Sequence, residues 1–160
     1  MDIEMRAAGA EDLELVLGLM RGLYASDHIV FEEARARRAL AALLAEPALG
    51  PALGTVWLVE ARGEVAAVIG YAVLTLGYSL EFGGRFWVLD ELFIHDTHRG
   101  RGAGGQVLRR IEEMGRALGL HAIRLEVSRT NGRAQELYRR AGFEAHDRDL
   151  MTLWMEVPEQ

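Results

Sequence analysis

Apolar residues recur along this chain in two rhythms, and the switches between them mark out its elements. Ile3 to Arg6 alternates apolar and charged positions and predicts a first strand. From Glu11 to Tyr24, the residues Leu13, Val16, Leu17, Met20 and Leu23 or Tyr24 fall on one helical face. Glu11 and Asp12 then lie in the first turn, where the helix dipole favours carboxylates. Phe31 to Glu46, rich in Ala, Leu and Arg, predicts a second helix, and Pro47, Gly50, Pro51 and Gly54 break the pattern after it. Thr55 to Ala61 and Val65 to Tyr78 read as strands joined in a hairpin by the Arg62-Gly63 turn. Glu81 to Arg85 is a polar connection. Phe86 to Ile94 (FWVLDELFI) is apolar on both faces except at Asp90 and Glu91 and predicts a buried strand. A helix over Gly104 to Leu118, a strand over Ala122 to Val127, a helix over Asn131 to Ala141 and a last strand over Leu150 to Val157 complete the chain. This order predicts one α/β (α+β) domain over residues 1–160, a mixed and mostly antiparallel sheet flanked by helices.

Composition narrows the chemistry. The 160 residues are 50% hydrophobic and 26% charged, enough for one globular domain with a real core. There is no cysteine, which excludes disulfides, thiol catalysis and cysteine-held metals. All 18 basic residues are arginine, so the Gly-Lys-Ser/Thr phosphate loop of nucleotide hydrolases is excluded. A net charge of −6 argues against nucleic acid as a partner. The same charge suits a cationic substrate, and equally serves solubility. The N-terminal MDIEMRAAG lacks the apolar core of a signal peptide, and no apolar stretch is long enough to span a bilayer. A cytoplasmic location with no membrane partner is the expectation. His28, His95, His98, His121 and His146 show no metal-ligand spacing, so no metal is expected.

One stretch carries chemistry on its face: Arg99-Gly100-Arg101-Gly102-Ala103-Gly104, with Gly105 after it. It lies between a strand and a helix start. A glycine-rich turn there presents backbone N–H groups and the positive end of the helix dipole to a phosphate. Gly100 to Gly105 also satisfies the dinucleotide pattern G-x-G-x-x-G, with Glu126 near the expected acidic position. Three features weigh against a dinucleotide. His95 to Arg99 separate the loop from its strand, only about a third of the chain follows it, and Asp90 and Glu91 lie close to where the ligand would sit.

The loop instead resembles the GNAT family of N-acetyltransferases, whose signature Arg/Gln-x-x-Gly-x-Gly/Ala is met by Arg99, Gly102 and Gly104. The resemblance continues through IRLEV (Ile123 to Val127), Asn131, Tyr138 and AGF (Ala141 to Phe143), covering roughly residues 1–157. Within the family, LDELFIHDTHRGRGAG is similar to the diamine acetyltransferase branch, although Asp96 stands where that branch commonly has proline. The resemblance implies the GNAT acyl-CoA N-acyltransferase fold and transfer of acetyl from acetyl-CoA to a primary amine in a ternary complex. It implies that the backbone of Gly100, Arg101, Gly102, Ala103, Gly104 and Gly105 holds the pyrophosphate, with charge added by Arg99 and Arg101. Leu92, Phe93 and Ile94 would pair with the pantetheine arm, and Asn131 to Ala134 would contact the coenzyme.

An alkylammonium has a pKa near ~10, so transfer needs a base. Asp90, first of the acidic pair, takes that role in the branch pattern, with Glu91 as the alternative. Alternation along a strand lets only one of the two face a given cleft. Either is also readable as a hydrogen-bonded or ion-paired strand residue, although two carboxylates in an apolar strand are costly to bury. Tyr138 stands at the position of the family's general acid, and reads otherwise as a buried helical tyrosine. Asn131 reads locally as the cap of the fourth helix. For the acceptor, the resemblance sets Asp27 opposite the acidic pair, so that Asp27, Asp90 and Glu81 form a pocket for a polyamine-like cation walled by Tyr78 and Phe82. Arg124 and Glu126 align with substrate-contacting positions; for Glu81 a solvated loop role is preferred. The branch implies a homodimer. Two other readings stand beside the small-amine enzyme: a protein or peptide N-acetyltransferase, and a catalytically silent acyl-CoA-binding domain.

Overall fold

The computed structural model describes residues 2–45, 53–63 and 67–155. Five strands form one sheet in chain order: β1 (Ile3–Ala7), β2 (Gly54–Ala61), β3 (Ala67–Ser79), β4 (Gly84–Ile94) and β5 (Ala122–Leu125). The first four pair antiparallel and β4 pairs with β5 in parallel. The helices are α1 (Leu13–Ser26), α2 (Glu33–Leu44), α3 (Ala103–Ala117) and α4 (Gly132–Arg140).

The sheet is covered on both faces, which is why β3 and β4 read as continuous apolar runs. On one face Val16, Leu17 and Met20 of α1 and Leu40 and Leu44 of α2 pack against Val56, Leu58, Tyr71, Val73 and Phe93. On the other, Ala103, Val107, Leu108 and Ile111 of α3 pack against Ile3, Val59, Ile69, Ala72, Leu74, Leu89 and Ile94. Leu137 and Tyr138 of α4 join the rim of this second core. Asp12 is the buried charge among the described residues. It accepts two hydrogen bonds from the Arg6 guanidinium at 2.8 and 2.9 Å and one from the Gly9 N–H at 2.9 Å, fastening β1 to the entry of α1. These donors hold its carboxyl down at about 2.

Two expected strands end differently. The strand expected over Ala122 to Val127 stops at Leu125. The one expected over Leu150 to Val157 does not form: residues 150–155 have no strand partner, and 156 and 157 lie outside the described residues. A strand needs a neighbour for its backbone groups, and none lies beside this segment among the described residues. Glu46, Pro47, Gly50, Pro51 and Val65 also lie outside the described residues.

Candidate active site

The site is built where β4 loses its parallel neighbour. β5 pairs with β4 only from Phe86 to Leu89, so the β4 backbone from Asp90 to Ile94 has no strand on that edge among the described residues. At the same point β4 carries a bulge: Leu74 pairs with Leu89 and Val73 with Glu91, leaving Asp90 as the extra residue. The bulge upsets the expected alternation. Leu89 packs into the α3 face, yet Glu91, two residues on, meets Tyr71 and Tyr24 on the α1 face. Opposite faces for Asp90 and Glu91 therefore do not follow from their adjacency.

The two carboxylates have different surroundings. Glu91 is clamped: the Tyr71 hydroxyl donates to one oxygen at 2.7 Å and the Tyr24 hydroxyl to the other at 3.0 Å. Burial raises its pKa, the two hydroxyls oppose the rise, and the Asp90 charge adds to it. Tyr24 is pushed up to about 12, by burial first and then by the Glu91 charge, and Tyr71 rises well above the ordinary phenol range for the same reasons. Asp90 is exposed and makes no hydrogen bond or ion pair among the described residues. Tyr24 and Tyr71 were not singled out in the sequence. The signal was present: a tyrosine hydroxyl inside an apolar strand needs a polar partner, and the next strand offers only Asp90 and Glu91 among its central residues.

Tyr138 lies half-buried on α4 with its ring edge-on to Phe143 at 5.7 Å. Burial first, then the charge of Asp27, pushes its hydroxyl up to about 12, so it stays protonated. Asp27 caps the C-terminus of α1, one turn beyond Tyr24. The last turn of α1 therefore bears on both halves of the site, on Glu91 through Tyr24 and on Tyr138 through the Asp27 charge.

Beyond Ile94 a short 3₁₀ turn (Asp96–His98) leads into the glycine loop. Gly100 and Gly102 have φ of 76° and 83°, the left-handed region where side chains are strained, and a Cβ on either would meet nothing within 4 Å. The space above them is thus open to a ligand, and the N-terminus of the 15-residue α3 starts directly after Gly102. Gly104 serves packing: a Cβ there would come within 3.1 Å of Leu137, so its absence lets α4 approach α3.

Arg99 is engaged within its own chain. Its Nε donates to the Ile94 carbonyl at 2.7 Å, its guanidinium pairs with Asp96, and it lies over the Phe93 ring at 5.3 Å. It braces the loop against the strand end, while Arg101 is exposed. Phe93 and Ile94 are buried and Leu92 half-buried, so these residues offer a ligand backbone and little side chain. Asn131 caps α4 as expected, its Oδ1 accepting from the Ala134 N–H at 3.1 Å, which occupies that N–H.

The remaining candidates are dispersed. Glu81 is bound through both oxygens by Arg148 at 2.9 and 3.0 Å, consistent with the solvated role preferred for it. Phe82 packs edge-on to Phe86 with Arg124 above it at 5.4 Å. Tyr78 is exposed, and Glu126 is exposed beyond the end of β5 without a hydrogen bond among the described residues. No cluster of metal-ligating side chains occurs among the described residues. A cavity of about 470 Å³ between α1 and the end of β4 is lined by Gly18, Gly22, Ser26, Phe93, His95 and Asp96. Neither Asp90 nor Tyr138 lines it, so the site is read from the open strand edge.

The sheet's fourth and fifth strands part beside a glycine turn at a helix start, and the chain belongs to the Acetyltransferase (GNAT) family, whose model matches residues 20–143. It is similar to the L-methionine sulfoximine/L-methionine sulfone acetyltransferase of Pseudomonas paraeruginosa, 29% identical over 90% of this chain and 81% of that one. It is also similar to the thialysine N-epsilon-acetyltransferase of Bos taurus, 31% identical over 53% of this chain, a match spanning about half of that relative, 51%. Among solved structures, an integron cassette protein from the mobile metagenome of Cole Harbour Salt Marsh superposes with a TM-score of 0.78 at 32% identity, covering 96% of this chain and 91% of that one. A predicted acetyltransferase with acetyl-CoA from Clostridium acetobutylicum shares the fold, with a TM-score of 0.75 at 19% identity over 95% and 96% of the two chains. No described helix is long and apolar enough to cross a membrane.

Proposed function

We propose that this chain is an acetyl-CoA-dependent N-acetyltransferase acting on the primary amine of a small cationic molecule, and that it works as a homodimer. The observation that carries the reading is the open β4 edge from Asp90 to Ile94, running into the left-handed glycine turn at the start of α3. The pantetheine arm would hydrogen-bond to that edge as an added strand. The pyrophosphate would sit on the N–H groups of the Gly100–Gly105 turn, a fit supported by the open space over Gly100 and Gly102. A backbone N–H of the edge would polarise the thioester carbonyl.

Asp90 is proposed as the base, acting directly or through a water, because it is exposed and unengaged while Glu91 is held by two hydroxyls. Asp90 takes one proton from the ammonium, the freed amine nitrogen attacks the thioester carbon, the C–S bond breaks, and the nitrogen's second surplus proton passes to the departing sulfur. Tyr138, held near 12, is a weaker acid than a thiol at roughly 8.5, so full donation to sulfur is uphill. Its role is to hydrogen-bond the departing sulfur, the proton that ends there coming from the amine.

Asp27, Asp90 and Glu91 supply negative charge for a cationic acceptor, with Glu126 at the margin; Glu81 is neutralised by Arg148. A polyamine is one such acceptor. The activities of the relatives, on thialysine and on methionine sulfoximine and sulfone, favour an amino-acid-derived amine as a second reading. A panel of spermidine, thialysine and methionine sulfoximine at fixed acetyl-CoA distinguishes them. Turnover of spermidine alone supports the polyamine, and turnover of the amino acids alone removes it.

A further inference from the structure

The arginines of α3 and α4 fall into two groups. Arg116, Arg139 and Arg140, in the last turns, pair with Glu112 or Glu136 on their own helix, and the helix dipole favours them there. Arg109, Arg110 and Arg133, with Arg101 in the glycine turn, are exposed and have no hydrogen bond, ion pair or ring partner among the described residues. Neither α3 nor α4 carries a carboxylate in its first turn, whereas α1 has Glu14 and α2 has Glu33 there. Arg101 precedes α3, and Arg133 is the second residue of α4. Both therefore stand against the positive end of a helix dipole with no counter-charge, an arrangement that only an anion relieves.

Two of these side chains are set about the start of α3. The Arg109 side chain runs back along α3 towards its N-terminus, and its Nη1 lies 3.8 Å from the position a Cβ on Gly105 would take. Gly105 is a helical glycine outside the left-handed region, and its bare backbone leaves the path of Arg109 across the first turn clear. From the other side, Leu137 of α4 comes within 3.1 Å of the Cβ position of Gly104, also in that first turn. Arg133 stands four residues before Leu137, on the same face of α4. The two helices follow the parallel strands β4 and β5, so one turn back from Leu137 places Arg133 beside the glycine turn.

We propose that Arg109 and Arg133 bind the 3′-phosphate of the coenzyme's ribose, and that they make this chain select coenzyme A over a donor lacking that phosphate. The proposal rests on the reading of the glycine turn as the pyrophosphate seat. The N–H groups of the turn, the α3 dipole and Arg101 already serve the pyrophosphate. Two further guanidiniums exceed that need, and coenzyme A offers one further anion. A phosphate monoester carries about −1.5 to −2 charge at pH 7 and three terminal oxygens, where backbone N–H groups supply only partial charge. The planar fork of an arginine matches such a group with two parallel hydrogen bonds. Approach from α3 and from α4 lets the two arginines hold it from different sides.

Calorimetric titration of the full chain with coenzyme A and with 3′-dephospho-coenzyme A is the test. The unsubstituted chain is expected to bind coenzyme A about tenfold or more tightly than the dephospho form, the range of a charge-assisted phosphate contact. Arg109→Gln and, separately, Arg133→Gln are each expected to weaken coenzyme A several-fold and to leave the Kd of the dephospho form in place, so the preference shrinks. Both side chains are exposed and unpartnered, so the thermal midpoint and circular dichroism spectrum of the unliganded variants are expected to match those of the unsubstituted chain. Equal affinity for the two forms, or a preference that either substitution leaves intact, would overturn the assignment while the pyrophosphate seat stands. Failure of both forms to bind would remove the seat and the assignment together.

Discussion

Asp90 and Glu91 are neighbours in the chain and opposites in surroundings, one exposed and unengaged, the other held between two phenols. The division makes separable predictions. Asp90→Asn is expected to lower kcat about 10²-fold or more at neutral pH while leaving the acetyl-CoA KM nearly unchanged, with partial recovery as pH approaches that of the free amine. Tyr71→Phe removes one of the two donors that favour the ionised form of Glu91. The loss falls on the charged state, so the variant should be destabilised by about 1–3 kcal/mol at pH 8 and by less at pH 5, where Glu91 is closer to its neutral form; urea midpoints at the two pH values read this. Tyr138→Phe is expected to cost about 10- to 100-fold in kcat, the range of one hydrogen-bond donor to a developing charge. At this scale the sequence showed the acidic pair and Tyr138 but neither the bulge nor the tyrosine clamp. A bulge is a register event between β4 and β3, and no local spacing announces it.

At the scale of elements, the turn before α3 and the fastening of α1 carry their own tests. Gly102→Ala adds a side chain where φ is 83° and where a Cβ meets no neighbour, so its cost is backbone strain and obstruction of the ligand. A rise of about tenfold or more in acetyl-CoA Kd by calorimetry, with a fall of about 2–6 °C in thermal midpoint from the strain, is expected. Asp12, held at about 2 by Arg6 and Gly9, stabilises the fold in its ionised form. That contribution is present above the unfolded carboxyl pKa of 3.8 and is lost as pH falls towards 2. Asp12→Asn should therefore lower stability by about 1–2 kcal/mol at pH 7, reduced because Arg6 is partly exposed, and by much less at pH 2.5. Helices and central strands were legible because their periodicity is local. The last segment reads as a strand by composition but residues 150–155 form none, because composition carries no information on whether a neighbouring strand is present to pair with, and none is among the described residues. The glycine loop was readable as an anion seat; that Arg99 braces the strand end was not, since the Ile94 carbonyl and the Phe93 ring meet it only after folding.

At the scale of the whole molecule, a sheet covered on both faces parts at one place, and the acidic pair, the glycine turn and the last turn of α1 are gathered around that parting. The absence of cysteine makes the chemistry directly observable, because a thiol released in solution has no background from the protein. The decisive measurement is continuous titration of free coenzyme A thiol from acetyl-CoA in the presence of a primary amine. Thiol release that requires the amine, equals the N-acetylated product mole for mole and saturates in both substrates is the predicted result. Release no faster than spontaneous thioester hydrolysis with every amine tried would contradict it.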